Sequence, residues 1–317
     1  MRIVLLASGE FALPTLRRLV HSGHDLALVV TQPARPSGRG RRTSPTPVRA
    51  LADELRLRVL EVENVNAADV AGGVRALEAR LGLVIAFGQK LGAELRDSFP
   101  ARCINLHASL LPRSRGAAPI NWAILRGEEE TGCTVIRVAE RIDAGPILVS
   151  RATRIEPGET AGELHDRLAC LGVEAVEAAL QQFEDGGMPE GTPQNESAVT
   201  LAPKLKKSDG FIRFSATAEE VVRHVRGMTP WPGALARFQS RGGRSEEVGI
   251  TRIRSAQASA APTVPPGTID ERLFVAVEDG FIEIVEIRPQ SGRNMGWVDY
   301  VNGRHVVAGD RFVALEA

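Results

Sequence analysis

Arg2-Ile3-Val4-Leu5-Leu6-Ala7, followed at once by Ser8-Gly9, is the stretch that decides the fold. A strand with one wet face alternates apolar and polar residues. This run does not alternate, so it reads as a strand buried on both faces. Outward from it, Leu13, Leu16, Leu19 and Val20 recur at helical spacing, and Gly23 ends that helix. Leu26–Thr31 is a second apolar run, and Pro47–Leu55 reads as a helix with proline in its first turn. Arg58–Val62 is a third strand, Ala67–Leu81 a helix, Leu83–Phe87 a fourth strand and Cys103–Leu106 a fifth. Strands alternating with helices predict an α/β fold, a doubly wound, Rossmann-like parallel sheet.

Thr134–Val138 and Ile147–Arg154 continue as strands, and Thr160–Glu184 is a long amphipathic helix that closes the domain. The texture then changes. Gly186–Ala198 is rich in Gly, Pro, Ser, Thr and Asn, as a linker is. Beyond it come the short runs Phe211–Phe214, Ala234–Phe238, Val248–Ile253, Leu273–Val277 and Phe281–Ile287, with one helix, Ala218–Arg226, among them. Short strands with turns between them predict a smaller β-rich second domain, a barrel or a sandwich. A length of 317 residues suits two domains.

Several function classes fall away. No apolar run is long enough for a membrane helix, and Met1–Ala7 enters a strand pattern with no signal-peptide shape. Cys103, Cys133 and Cys170 are odd in number and widely spaced, so they are expected to be reduced core residues in a cytoplasmic protein. No H-E-x-x-H or other ligand spacing occurs, and no metal is expected. The G-x-G-x-x-G of a dinucleotide site, the G-K-[ST] of a P-loop and the G-x-S-x-G of a serine hydrolase are all absent. Formal net charge is zero, so only local clusters can speak of a nucleic-acid partner.

Asn105 and His107 lie two apart at the end of the fifth strand, in Ile104-Asn105-Leu106-His107-Ala108-Ser109. On a strand such residues share a face, and ligands of open α/β sheets bind beyond the carboxyl ends of the strands. On these two residues alone, a strand end meeting water is an equal reading. The segment Ser109–Pro119 then holds two prolines and a glycine, which force a defined loop with unpaired backbone groups. A second turn-rich loop, Glu140–Pro146, carries Asp143, placed to reach across to His107. His24, His165, His224 and His305 stand in turns or on helices and read as structural.

The run from Cys103 to Leu148, with its N-x-H-x-S-L-L-P and D-x-G elements, strongly resembles the folate-dependent formyltransferases. Thr31–Val48 narrows the resemblance to the tRNA-acting branch, and the likeness extends through Ala202-Pro203-Lys204-Leu205, Pro230-Trp231-Pro232 and Pro289–Met295. The resemblance implies a formyltransferase catalytic domain over 1–187, a linker over 188–207 and an OB-like tRNA-binding barrel over 208–317. It implies 10-formyltetrahydrofolate as co-substrate, initiator methionyl-tRNA as acceptor and a monomer. It makes Asn105, His107 and Asp143 catalytic. Asn105 would donate to the oxyanion formed when a neutral amine attacks the formyl carbon, His107 would donate and assist proton transfer, and Asp143 would support the imidazolium. Ser109, Leu110, Leu111 and Pro112 would contact folate, and Phe87 and Leu91 would wall its pterin.

Thr31–Ala50 carries Arg35, Arg39, Arg41, Arg42 and Arg49 with no acidic residue. Its four prolines and two glycines predict a loop with neither helix nor strand until Pro47, emerging at the same sheet edge as Asn105. Alone, a charge run reads as solvated. With the resemblance, Arg39, Arg41 and Arg42 are expected on the acceptor stem, and Lys204 and Lys206 on the RNA backbone. Two other functions remain open: formylation of an amino sugar nucleotide, and a catalytically silent RNA-binding scaffold.

Overall fold

The computed structural model describes residues 1–37, 42–184, 187–256 and 262–316. The first half runs β1 (Arg2–Ala7), α1 (Leu13–Val20), β2 (Asp25–Thr31), β3 (Arg35–Ser37), β4 (Arg42–Ser44), α2 (Pro47–Glu54), β5 (Val59–Glu61), α3 (Ala68–Arg75), β6 (Leu81–Ile85), α4 (Ala93–Asp97) and β7 (Cys103–His107). It continues with β8 (Arg115–Gly116), α5 (Pro119–Leu125), β9 (Glu130–Arg137), β10 (Ile147–Arg154), α6 (Ala161–Glu184) and β11 (Leu201–Ala202). Then follow α7 (Ala218–Met228), β12 (Leu235–Gln239), β13 (Ser245–Ser255), β14 (Val275–Ala276), β15 (Phe281–Pro289), β16 (Met295–Gly296), α8 (Trp297–Arg304) and β17 (Arg311–Val313).

Two compact units result. One takes Met1–Pro119, Glu130–Arg154 and His165–Ala202; the other takes Ile120–Glu129, Ile155–Leu164 and Pro203–Ala317. No single cut in the chain separates them. The reason lies in hydrogen bonds inside the second unit: Asn121 Nδ2 donates to the Gly227 carbonyl (2.7 Å), Arg226 Nε to that of Glu159 (2.8 Å) and the Gly162 N–H to that of Thr229 (3.1 Å). Arg252 also pairs with Glu163 at 2.6 Å.

In the first unit the sheet order is β10-β9-β7-β6-β1-β2-β5. Ile3 to Ala7 of β1 are wholly buried at its centre, as the unbroken apolar run requires. β5, β2, β1, β6 and β7 are parallel, with Asn105 beside Val84 of β6. The sheet is not parallel throughout. β9 runs antiparallel to β7, and β10 antiparallel to β9. Residues 138–146 alone join β9 to β10, and a parallel pair needs a crossover of roughly a dozen residues or more. β9 ends beside Ile104, at the start of β7, so it is the loop between β9 and β10, not the strand end, that carries Asp143 to His107.

The basic segment is more ordered at its base than expected. Thr31 and Thr46 hydroxyls meet at 2.8 Å, and β3 pairs antiparallel with β4 from Arg35↔Ser44 to Ser37↔Arg42. Two chain ends held that close satisfy their backbone groups by pairing. Thr46 Oγ1 then accepts the Arg49 N–H at 3.1 Å and caps α2.

The second unit holds an antiparallel, barrel-like sheet, β14-β15-β13-β12-β17, with β16 on β15. Its core includes Phe238, Ile250, Ile284 and Phe312, all nearly inaccessible. Two expectations fail here. Phe211–Phe214 makes one bridge, Phe211↔Leu235, rather than a strand, although Ile212 and Phe214 are buried. Trp297–Arg304 is a second helix where only one was expected. Its aromatic and β-branched residues suggest a strand, yet Trp297 and Tyr300, one turn apart, stack at 5.6 Å and are both buried.

Candidate active site

β7 delivers Asn105 and His107 to the sheet edge, Asn105 half-buried and His107 only 7% exposed. The imidazole is held from two sides. Its Nε2 lies 2.9 Å from the Ser114 carbonyl oxygen. A carbonyl only accepts, so Nε2 carries the hydrogen and donates it. That leaves Nδ1 facing Asp143, whose Oδ1 is 3.7 Å away. Oδ2 of Asp143 accepts the Gly116 N–H at 2.9 Å. Asp143 has φ +53°, which turns its side chain back toward the sheet.

The loop between β7 and α5 is fixed by hydrogen bonds within itself and to Thr134 and Thr200. Ser109 Oγ donates to the Arg113 carbonyl (2.7 Å), and Thr134 Oγ1 donates to the Ser109 carbonyl (2.6 Å) while accepting the Leu111 N–H (3.1 Å). Ser114 N–H donates to Thr200 Oγ1 at 2.8 Å. The Ser109 hydroxyl is thus engaged within the loop. Leu111 is buried, and Leu110 and Pro112 are half-buried.

A pocket opens beside Asn105, with Val84, Leu91, Ile136, Val138, Ile142 and Asp143 among its walls. The structure therefore brings Asn105, His107, Asp143 and Leu91 together at one edge. Phe87 packs in the hydrophobic cluster behind, 2% exposed, and does not line that pocket. Lys204 and Lys206 are exposed in the second unit. Arg39 and Arg41 lie outside the described residues, and Arg42 opens β4.

Four residues escaped the sequence reading: Arg115, Gln194, Glu196 and Thr200. Arg115 is a buried guanidinium, 5% exposed, that donates to Gln194 Oε1 and to Glu196. Its hydrogen bonds, joined by those of Arg141, hold the Glu196 carboxyl below the usual carboxylate range. Three of the four come from the segment read as a linker, where only polar composition was visible. Burial pushes the Cys103 and Cys133 thiols up to about 12, so both are inert core groups. Among the described residues, no cluster of His, Cys, Asp or Glu is placed to hold a metal, and no helix is long and apolar enough to cross a membrane.

Comparison with known proteins sets this geometry in context. The formyl transferase family matches residues 1–180, and the formyl transferase C-terminal domain matches residues 204–305. A methionyl-tRNA formyltransferase of Geotalea uraniireducens is 38% identical over 309 residues, covering 98% of this chain and 97% of its own. Its counterpart in Methylococcus capsulatus is 41% identical over 315 residues, covering 98% and 99%. The chain belongs to the methionyl-tRNA formyltransferase family. The crystal structure of HypX from Aquifex aeolicus in complex with tetrahydrofolic acid superposes with a TM-score of 0.64 at 18% identity, over 95% of this formyltransferase chain and 47% of HypX. That likeness is one of fold.

Proposed function

We propose that this enzyme transfers the formyl group of 10-formyltetrahydrofolate to the amino group of the methionyl moiety of initiator methionyl-tRNA, in translation initiation. The observation that carries the reading is the convergence of Asn105, His107 and Asp143 beside an apolar-walled pocket, in a chain of this family. The pocket's lining fits a flat heteroaromatic ring with a polar edge: Val84, Leu91, Ile136, Val138 and Ile142 offer apolar walls, and Asn105 and Asp143 the polar end. When bound, the folate supplies the formyl carbon.

Each side chain then has a task suited to its chemistry. The Asn105 amide donates a hydrogen bond to the formyl oxygen as charge gathers there, with no change in its own charge. His107, with Nε2 tied to Ser114, exchanges its proton at Nδ1, the nitrogen that faces Asp143. Asp143 pairs with the imidazolium and passes the proton that the amine loses, through water, to N10 of the folate as the formyl–N10 bond breaks and tetrahydrofolate leaves. In the same reading Ser109, Leu110, Leu111, Pro112 and Leu91 shape the folate site, and Phe87 backs it from the hydrophobic cluster. Residues 1–187 form the catalytic domain, 188–207 a linker and 208–317 the tRNA-binding domain. Arg39, Arg41 and Arg42 enter the acceptor stem, and Lys204 and Lys206 meet the RNA backbone. The enzyme works as a cytoplasmic monomer and needs no metal.

The test offers the purified chain 10-formyltetrahydrofolate labelled in its formyl group, with charged initiator tRNA in one tube and an amino sugar nucleotide in the other. Label should pass to the methionyl amine. Label on the sugar alone would overturn the reading, and label on neither would favour a silent scaffold.

A further inference from the structure

We propose that Gln194 is a positioning residue for the reaction: its side-chain amide fixes Asp143 beside His107. The inference rests on the catalytic reading of Asp143 given above. It starts from the loop between β9 and β10, where Asp143 has φ +53° and a Cβ on Gly145 would lie 1.7 Å from the Arg137 carbonyl oxygen. A loop turned this tightly exposes carbonyls that have no strand partner. Those of Asp143 and Gly145 both accept from Gln194 Nε2, at 2.8 and 2.7 Å.

The orientation of that amide follows from its other neighbour. Oε1 faces Arg115, whose Nε and Nη2 approach at 3.0 and 2.8 Å. A guanidinium only donates, so the amide must turn its oxygen to Arg115 and its NH₂ to the loop. Both N–H groups and the carbonyl oxygen are then engaged. Glu196 balances the buried guanidinium at 2.9 Å and also meets Arg141 at 3.1 Å.

Arg115 stands between the two residues that hold the catalytic pair. Ser114 before it accepts from His107, and Gly116 after it donates to Asp143. A closed ring results: Gln194 to the Asp143 backbone, the Asp143 carboxylate to Gly116, and Arg115 back to Gln194. The ring sets the 3.7 Å between Nδ1 and Oδ1. The segment read as a linker is therefore also part of the frame of the site. Gln194 touches no reacting atom in this scheme and acts through Asp143.

Gln194→Ala, the near-isosteric Gln194→Glu, Asp143→Asn and the double variant Gln194→Ala/Asp143→Asn test this by single-turnover formyl transfer at saturating substrates. Folate affinity and unfolding are measured alongside. Gln194→Glu keeps an acceptor for Arg115 but sets a carboxylate oxygen against two carbonyls. Both Gln194 variants should slow the chemical step by about 10- to 100-fold, with folate affinity unchanged. In the Asp143→Asn background, Gln194→Ala should cost less than about twofold more. A folded Gln194→Ala at the wild-type rate overturns the proposal, as does a loss that multiplies in full on Asp143→Asn. Wild-type turnover in Asp143→Asn would overturn the catalytic reading and this inference with it. A slow Asp143→Asn beside a fast Gln194→Ala overturns the inference alone.

Discussion

Gly116→Ala strikes the frame of the site at its narrowest point. Gly116 has φ +129°, a conformation open in practice to glycine alone. A Cβ built there would lie 2.5 Å from the Ala202 carbonyl oxygen and 3.0 Å from its carbon. Both are backbone atoms, so neither can swing aside. The Ala202 oxygen also accepts the Ala117 and Ala118 N–H groups at 2.8 and 3.2 Å, and moving it weakens both bonds. A strained backbone position costs about 1–3 kcal/mol and each of the two weakened hydrogen bonds about 1 kcal/mol, so the loss is roughly 3–5 kcal/mol. The chain should stay folded, because domains are stable by about 5–15 kcal/mol. The Gly116 N–H that holds Asp143 must shift with the backbone, and misplacement by about 1 Å costs on the order of 100-fold in rate. Urea unfolding gives the first quantity and single-turnover formyl transfer the second. Gly243→Ala is the control: its φ is +89°, no described residue lies within 4 Å of a Cβ there, and it stands in the other unit. It should lose some stability and no rate. A Gly116→Ala protein with wild-type stability and rate would refute the reasoning.

His107→Ala should fold normally and lose about 10²-fold or more in turnover; a folded variant with wild-type turnover would sink its role. Replacing Arg39, Arg41 and Arg42 together by Ala should weaken tRNA use and flatten the plot of log K against log salt by roughly 0.7–0.9 for each phosphate no longer neutralised, with folate binding unchanged. An unaltered salt slope would make the loop a solvated surface and favour the amino-sugar alternative. Burial pushes the His224 imidazole below its ordinary value of 6.5, and its Nε2 has no hydrogen-bond partner among the described residues. The unfolded chain therefore binds this proton first, so stability is full above about pH 6.5 and falls as pH drops through the lowered folded value. His224→Gln should lose less stability than wild type between pH 7 and pH 5, and equal losses by urea titration would contradict this.

The parts of the fold legible in the sequence are those built on local signals. β1, β2 and β6 carry unbroken apolar runs because both their faces are covered, and Asn105 and His107 on β7 declare a shared face by spacing alone. Asp143 is visible because Gly145 and Pro146 mark a loop. What escaped depends on distant pairing. Gln194 is one polar residue in a polar stretch, and nothing near it in the chain tells that Arg115, 79 positions away, will orient its amide. The antiparallel pairing of β10 with β9 follows from a connection too short to cross over, a constraint of geometry that apolar patterning does not carry. α8 escaped for another reason: Trp297, Val298, Tyr300 and Val301 favour strands, and packing of Trp297 and Tyr300 on one face overrides that preference.

The central claim is that formyl transfer takes place at the carboxyl end of β7, with Asn105 donating to the formyl oxygen. The most direct measurement is the rapid-quench single-turnover rate of Asn105→Ala against wild type, with both substrates saturating and the affinity for each measured separately. Loss of one such donor should slow the chemical step by about 10²–10³-fold while both affinities stay near wild type. An unchanged chemical step, or a loss explained wholly by weaker binding, would contradict the account.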